Sequence, residues 1–266
     1  MVSFPFCKIN LGLRILSKRA DGFHNIETCF YPVPWCDVLE IIPSQVFLFT
    51  QSGIPITDAE NLCVRAYNKL KETYSLPAVK IHLHKIIPMG AGLGGGSADA
   101  AFTLKSLNTL FSLDLSVDKL IEIAAELGSD CSFFLHEKAM MGSGRGEVLR
   151  PINISLAGKF VVIVKPDIHV STADAYKNVR PDASRASLQE ILTEDLTSWK
   201  STLVNDFEQS VFMQYPQIQR IKNTLYESGA LYASMSGSGS SVYGLFKEPV
   251  NLKEKFEGMI YWSGEL

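Results

Sequence analysis

Residues 88–100 hold the strongest chemical signal in the chain. Five of the seven positions from 90 to 96 are glycine, and Ser97 follows them. Backbone without Cβ atoms can bring its N–H groups close to a ligand. The segment lies between a strand-like stretch and a helix-like stretch, and the N-terminus of a helix attracts anions through its dipole and unpaired N–H groups. This combination predicts a cradle for phosphate groups.

Besides a nucleoside triphosphate site, the glycine pattern is compatible with two further structures. A plain turn is one, although several glycines at the start of a helix are costly when nothing uses them. A dinucleotide fingerprint is the other, because Gly90, Gly92 and Gly95 match G-x-G-x-x-G. The acid expected about twenty residues later at a strand end is missing, since Asp114 falls in a predicted loop. The segment is not a Walker A motif, but the Ser97 hydroxyl can reach a phosphate or a magnesium ion.

Lys8 and Asn10 form a second candidate group. In residues 8–15 apolar side chains alternate with polar ones, which predicts a half-buried strand with one polar face. Side chains two residues apart share a face of a strand, so these two residues can reach the same ligand. A solvated lysine at a sheet edge is the ordinary alternative.

Asp130 is the candidate general base. It follows the helix-ending Gly128 and precedes an apolar run at 133–135, so its carboxylate can lie at the floor of a cleft. General-base catalysis is worth ~10²–10⁴ in rate. On its surroundings alone, a turn or helix-capping aspartate is the better explanation of the residue.

The elements that position these residues mix helices and strands without a βαβ rhythm, which predicts an α+β fold. Periodicity and capping signals predict helices at 61–74, 98–111, 117–127 and 217–228, with Gly128 as a left-handed stop for the third. They predict strands at 79–87, 159–165, 231–235 and 242–246, and a turn at 140–147. The pattern resets near 150–158, so we expect two domains, 1–152 and 153–266.

Composition excludes several classes of protein. The 266 residues carry 25 Lys and Arg against 28 Asp and Glu, a net charge of -3, which argues against nucleic-acid and membrane-surface partners. No stretch is long and apolar enough for a membrane span, and the first ten residues do not resemble a signal peptide. The five cysteines have no C-x-x-C spacing, which fits a reducing cytoplasm. We expect a cytoplasmic monomer or weak homodimer with a small-molecule substrate.

Three ordered blocks resemble the GHMP kinase superfamily. Residues 88–101 are similar to its phosphate-binding motif, Lys8-Ile-Asn10 to its first motif, and residues 236–246 to its C-terminal motif. One branch, whose substrate is 4-diphosphocytidyl-2-C-methyl-D-erythritol, carries counterparts of residues 8–13, 19–24 and 127–130. The resemblance runs from residue 7 to about 246. It implies a two-domain GHMP kinase fold with the active cleft between the domains.

The resemblance implies a role for each candidate residue. Asp130 takes the proton of the acceptor 2-hydroxyl, and Lys8 stabilises the charge that develops there. ATP binds at residues 90–97, which we call the glycine segment. Mg²⁺ binds with ATP, and Ser97 is the one candidate for a protein ligand of the ion. The implied nucleotide-binding residues are Pro88, Gly90, Gly92, Leu93, Gly94, Gly95, Gly96 and Ser97, together with Asn61, Leu62 and Lys85. The last three have ordinary alternatives as a helix cap and its neighbour and as a solvated strand-end lysine.

The implied acceptor site holds a cytosine between aromatic rings. Its residues are Asn10, Phe23, His24, Thr172, Tyr176, Gly237, Ser238 and Gly239. Phe23 stands where the family usually has tyrosine, so ring stacking is kept and a phenolic contact is lost. Cys7 and Ser132 replace a usual alanine and a frequent proline. The alternatives are a kinase for homoserine or mevalonate, which carry no base to stack, a non-catalytic binding module, and a dehydrogenase.

Overall fold

The computed structural model describes residues 1–56 and 61–266. Its strands are β1 (Val2–Ser3), β2 (Phe6–Lys18), β3 (His24–Cys36), β4 (Val38–Pro43), β5 (Leu48–Gly53), β6 (Val79–Lys85), β7 (Met140–Ser143), β8 (Val148–Pro151), β9 (Phe160–Lys165), β10 (Tyr232–Met235), β11 (Val242–Phe246) and β12 (Ile260–Glu265). Its α-helices are α1 (Leu62–Tyr74), α2 (Gly95–Leu110), α3 (Val117–Leu127), α4 (Thr172–Tyr176), α5 (Leu188–Ile191), α6 (Trp199–Thr202), α7 (Phe207–Gln214) and α8 (Pro216–Glu227). Short 3₁₀ helices span Cys131–Leu135 and Lys253–Phe256. The predicted α+β class is confirmed.

The chain forms two compact units built from interleaved segments. The first unit contains residues 1–7, 35–89 and 94–137, and the second contains residues 8–34, 90–93 and 138–266. The compact units therefore do not follow a single cut, because most of β2 and β3 group with the C-terminal half of the chain. The boundary at 152/153 stays a prediction about the domains of the family.

The first unit packs helices beside a four-stranded sheet. The strand order is β1-β4-β6-β5, with β5 parallel to β6 and the other pairs antiparallel. Helices α1, α2 and α3 contact one another, and α2 also contacts β4. In β6 the apolar residues Val79, Ile81 and Leu83 are buried while Lys80 and His84 are exposed. The predicted strand is confirmed, although it ends at Lys85 rather than at Ile87.

The predicted helices of the first unit are confirmed with two corrections. Ser116 caps α3 by accepting a hydrogen bond from the Lys119 N–H at 3.2 Å. Gly128 ends that helix in extended backbone, with φ of 176°, so the predicted left-handed stop was wrong. Helix α2 begins at Gly95, three residues before the predicted start at Ala98. The glycines themselves therefore form its first turn.

The second unit contains two four-stranded sheets, in the orders β2-β3-β7-β8 and β10-β11-β9-β12. Its core gathers Leu13 and Ile15 of β2 with apolar residues of β9–β11, α7 and α8. The predicted turn at 140–147 is confirmed only for residues 144–147, which connect β7 and β8 in an antiparallel hairpin, whereas residues 140–143 form β7. The polar face of β2 is also buried rather than exposed, since Arg14 forms an ion pair with Glu27 at 3.1 Å.

None of the helices in the two described ranges is long and apolar enough to cross a membrane.

Candidate active site

The glycine segment turns directly from β6 towards α2. Gly90, Gly92 and Gly94 adopt left-handed backbone with φ of 59°, 78° and 72°. Gly94 is the N-cap of α2, and no side chain caps this helix. The first N–H groups of any α-helix lack partners inside the helix. A helix that starts this way on glycines can present those N–H groups to an anion.

Three of the glycines have close neighbours. A Cβ at Gly92 would lie 1.9 Å from the carbonyl oxygen of Ser236. A Cβ at Gly95 would lie 2.9 Å from the Lys85 ammonium, and one at Gly96 would lie 2.9 Å from the Met89 methyl group. Gly92 therefore needs glycine for the fold, because its neighbour is backbone, whereas the flexible end of the Met89 side chain can move away from Gly96.

Lys8 lies against the glycine segment inside the second unit. Its side chain is 3% exposed, and its Nζ donates hydrogen bonds to Asn10 Oδ1 at 2.5 Å and to the Gly92 carbonyl at 2.9 Å. Its backbone N–H also donates to the Leu93 carbonyl at 3.0 Å. Three residues that the sequence predicts for one site, Lys8, Asn10 and Gly92, are thus brought together.

Thr28 and Tyr243 complete this network and were not predicted. Asn10 Nδ2 donates to Thr28 Oγ1 at 2.9 Å, and the Thr28 hydroxyl donates to the Gly12 carbonyl at 2.6 Å. The Tyr243 hydroxyl donates to the Asn10 carbonyl at 2.8 Å. Both are fully buried and lie on other strands, so only the sheet pairing could have revealed them.

The second glycine-rich segment, residues 236–241, connects β10 and β11. Ser236 Oγ donates to the Gly92 carbonyl at 2.8 Å, and a Cβ at Gly237 would lie 3.3 Å from Gly92 Cα. Asn205, which was also not predicted, holds the segment by donating from Nδ2 to the carbonyls of Met235 and Gly237 at 2.8 Å each. The predicted Gly237–Ser238–Gly239 stretch therefore belongs to a hairpin connection that is held against the first glycine segment.

Two residues of the predicted aromatic pocket lie together, but their rings stack on each other and leave no space for a base between them. The rings of His24 and Tyr176 stack with centroids 4.7 Å apart and planes at 16°. Phe23 lies outside this pair, 54% exposed, with the Arg145 guanidinium 5.2 Å from its ring centroid, and Thr172 is exposed at the start of α4. Burial lowers the pKa of His24, and the nearby Lys18 charge adds to the effect, so the neutral imidazole is favoured.

The remaining predicted residues lie in the first unit. Asn61 caps α1 by accepting from the Cys63 N–H at 2.8 Å, and Leu62 lies 3.7 Å from the Cβ position of Gly96. Asp130 is partly exposed and precedes the 3₁₀ helix at 131–135. Gly128 lies between Asp130 and α3, and its Cβ position is 3.9 Å from Ser97 Oγ. Within this unit, Ser97 is therefore close to the turn that carries Asp130.

Lys85 was expected beside the nucleotide or in solvent at the strand end, and its surroundings in the structure are different. Its ammonium is fully buried between the carboxylates of Asp37 and Asp99. A direct nucleotide contact from Lys85 stays a prediction. Among the described residues, no group of three or more His, Cys, Asp or Glu side chains could hold a metal ion.

The chain is similar to known kinases over its whole length. The family model described as GHMP kinases N terminal domain matches residues 61–138, and the one described as GHMP kinases C terminal matches residues 184–260. A 4-diphosphocytidyl-2-C-methyl-D-erythritol kinase of Parabacteroides distasonis is 51% identical over 270 residues, covering 100% of each chain. One of Cytophaga hutchinsonii is 53% identical over 249 residues and covers 92% of each.

Solved structures agree with these relatives. A crystal structure of a 4-(cytidine 5'-diphospho)-2C-methyl-D-erythritol kinase has a TM-score of 0.81 at 32% identity, over 92% of this chain and 90% of that one. A mevalonate kinase of Methanococcus jannaschii has a TM-score of 0.70 at 12% identity, over 99% and 97%, and shares the fold alone. With its glycine segments, its Lys8 network and these full-length relatives, the chain belongs to the GHMP kinases and, among them, to the 4-diphosphocytidyl-2-C-methyl-D-erythritol kinase family.

Proposed function

We propose that this protein transfers the γ-phosphoryl group of ATP to the 2-hydroxyl of 4-diphosphocytidyl-2-C-methyl-D-erythritol, in the non-mevalonate pathway to isoprenoid precursors. The placement of Lys8 carries the proposal, because its ammonium is buried against the Gly92 carbonyl of the glycine segment. The names of the full-length relatives at 51–53% identity support the choice of acceptor.

Phosphoryl transfer requires a positioned acceptor, a proton acceptor and stabilisation of phosphate charge. Asp130 takes the proton of the acceptor 2-hydroxyl. The oxygen of that hydroxyl attacks the γ-phosphorus, and ADP leaves. Lys8 stabilises the negative charge on the attacking oxygen and the transferred group. The N–H groups of residues 90–97 bind the phosphates of ATP, with Pro88, Asn61 and Leu62 beside the nucleotide.

These residues fit a magnesium ion that is bound mainly by the phosphates of ATP and not by a full set of protein ligands. Mg²⁺ keeps several waters and is held by few side chains together with substrate phosphates. The Ser97 hydroxyl, at the first turn of α2, is the side chain that would hold it. When bound, the ion neutralises charge on the β- and γ-phosphates.

The acceptor is held by the second unit. The rings of His24 and Tyr176 stack on each other, so they must separate for the cytosine to lie between them. Phe23 and Thr172 complete the proposed contacts with the base. Asn10 binds the erythritol portion, and Gly237, Ser238 and Gly239 close over the substrates. Stacking of a base on an aromatic ring contributes about 1–3 kcal/mol in nucleic-acid cases.

The test is ADP release from Mg-ATP with the cytidyl substrate, run beside homoserine and mevalonate. Turnover with the cytidyl substrate alone is the expected result. Turnover with another alcohol only would keep the kinase and refute the acceptor.

Asp130→Asn should lower turnover by ~10²–10⁴ while both substrates still bind, because an amide cannot take the proton. Asp118→Asn, an exposed change in the first turn of α3, serves as the matched control. Unchanged turnover of Asp130→Asn would remove the general base from the proposal.

A further inference from the structure

A sealed charge cluster lies under the glycine segment inside the first unit. We call Asp37, Lys85 and Asp99 the Lys85 triad. Lys85 Nζ donates to Asp99 Oδ2 at 2.8 Å and to Asp37 Oδ2. The side chains of Lys85 and Asp37 are fully buried, and that of Asp99 is 3% exposed. Solvent and ligands therefore have no direct access to the ammonium.

The triad ties together the two ends of the glycine segment. Before the segment, Asp37 Oδ1 accepts from the N–H groups of Ile86 at 2.5 Å and Ile87 at 2.8 Å. After it, Asp99 lies in the N-terminal part of α2. One ammonium holds both carboxylates, so it joins the strand end to the helix start.

Gly95 shows how closely the helix is seated on this cluster. A Cβ at that position would lie 2.9 Å from both Lys85 Nζ and Ile87 Cγ2. The first turn of α2 therefore rests directly on the ammonium. A shift of Lys85 would move the turn whose N–H groups we assign to the phosphates.

The triad has more carboxylates than ammonium groups. An ion pair that served only stability would not need the second carboxylate. Two carboxylates share one ammonium, and Asp37 also receives two backbone N–H groups, while Asp99 Oδ1 accepts no hydrogen bond from the described residues. Burial raises the pKa of Asp99, and the Asp37 charge adds to this effect, although Lys85 opposes it. Buried ion pairs are weak sources of stability, and some of them instead specify one geometry.

We propose that Asp37, Lys85 and Asp99 are positioning residues that fix the glycine segment in the geometry that binds the phosphates of ATP. This inference rests on the proposed function, because it takes the segment to be the nucleotide site. It gives Lys85 a role behind the segment rather than in contact with the nucleotide.

Two variants at position 99 separate the effect of the hydrogen bond to Lys85 from the effect of the negative charge. Asp99→Leu removes both the charge and the acceptor of the Lys85 hydrogen bond. The Lys85–Asp37 ion pair, which has no net charge, remains. Asp99→Asn also removes the charge but keeps an acceptor oxygen. We expect Asp99→Leu to raise the KM for ATP by about tenfold or more, which corresponds to 1.4 kcal/mol. The KM for the acceptor should stay within about twofold in both variants, and Asp99→Asn should restore most of the ATP affinity.

Unfolding by urea and calorimetric binding of Mg-ADP accompany the kinetics. Asp99→Ala replaces Asp99→Leu if the larger side chain does not fit. A folded Leu or Ala variant with the wild-type KM for ATP would overturn the proposal. Failure of both variants to fold while Asp99→Asn folds would assign the triad to folding, which would also overturn it.

The wild-type protein separates this proposal from the proposed function. If it binds Mg-ADP but does not phosphorylate the cytidyl substrate, the acceptor is wrong, and the triad is still tested by the Mg-ADP affinities of the variants. If it binds no nucleotide, the function fails on the wild type before any variant is compared, and the positioning role fails with it.

Discussion

Two buried lysines lie against glycines of the same segment, in very different surroundings. Lys8 is in the second unit, where its contacts include the neutral oxygens of Asn10 and Gly92. Lys85 is in the first unit between two carboxylates. An ammonium between two carboxylates cannot be removed without leaving buried charge. We therefore expect Lys85 to act through the position of the glycine segment and Lys8 to act in the proposed reaction.

The largest effect should come from Lys85→Met. It leaves Asp37 and Asp99 buried without a cation, so we expect the free energy of unfolding to fall by about 3–5 kcal/mol. Urea denaturation measures this change. Lys105→Met is the matched control on the surface, where loss of the Glu137 ion pair should cost under about 1 kcal/mol. Equal losses in the two variants would refute the distinction.

Lys8→Met should give the opposite pattern. Turnover should fall by about 10²–10³, the usual effect of losing one group that stabilises developing charge. The free energy of unfolding should fall by less than in Lys85→Met, because Ser236 Oγ still donates to the Gly92 carbonyl at 2.8 Å. A stability loss as large as that of Lys85→Met would contradict the comparison.

The pH dependence of stability should report the extra carboxylate of the Lys85 triad. Burial raises the pKa of Asp99 to about 7, so the folded protein binds this proton more tightly than the unfolded chain. Stability from this group is therefore present at low pH and falls as pH rises from about 4 to about 7. The Cys63 thiol, which is also close, has a pKa raised by burial and stays neutral throughout.

Asp99→Asn cannot ionise, so its free energy of unfolding should lose this slope. Urea denaturation of both proteins at several pH values between 5 and 8 measures the difference. The same slope in the variant and the wild type would show that Asp99 is not the titrating group.

The smallest effect should come from Thr28→Val in the Lys8 network. It removes the acceptor of Asn10 Nδ2, which should lower the free energy of unfolding by about 1 kcal/mol and turnover by a few-fold. Thr103→Val is the control beside the Lys85 triad, where the hydroxyl donates to the Asp99 carbonyl within α2. We expect stability, but not turnover, to change there. Equal losses of turnover would argue against a special role of the Lys8 network.

Most regular elements were predictable because their signals are local. The alternation in Val79–Lys85 and the helix caps Asn61 and Ser116 depend on near neighbours in the chain. The short helices α4–α7 and the edge strands β5 and β12 were missed. Their residues carry weak periodicity, and packing determines their structure more than propensity does.

The sequence by itself determined the family and the α+β class, because these depend on residue types and on spacing along the chain, and from the same signals it predicts that the glycine segment binds phosphate. Only the tertiary structure decided which buried polar groups meet. Lys8 and Ser236 contact the same carbonyl although they are 228 positions apart, and Asp37 reaches Lys85 across 48 positions. Strand pairing and helix packing create these contacts, and neither leaves a local signal that identifies the partner.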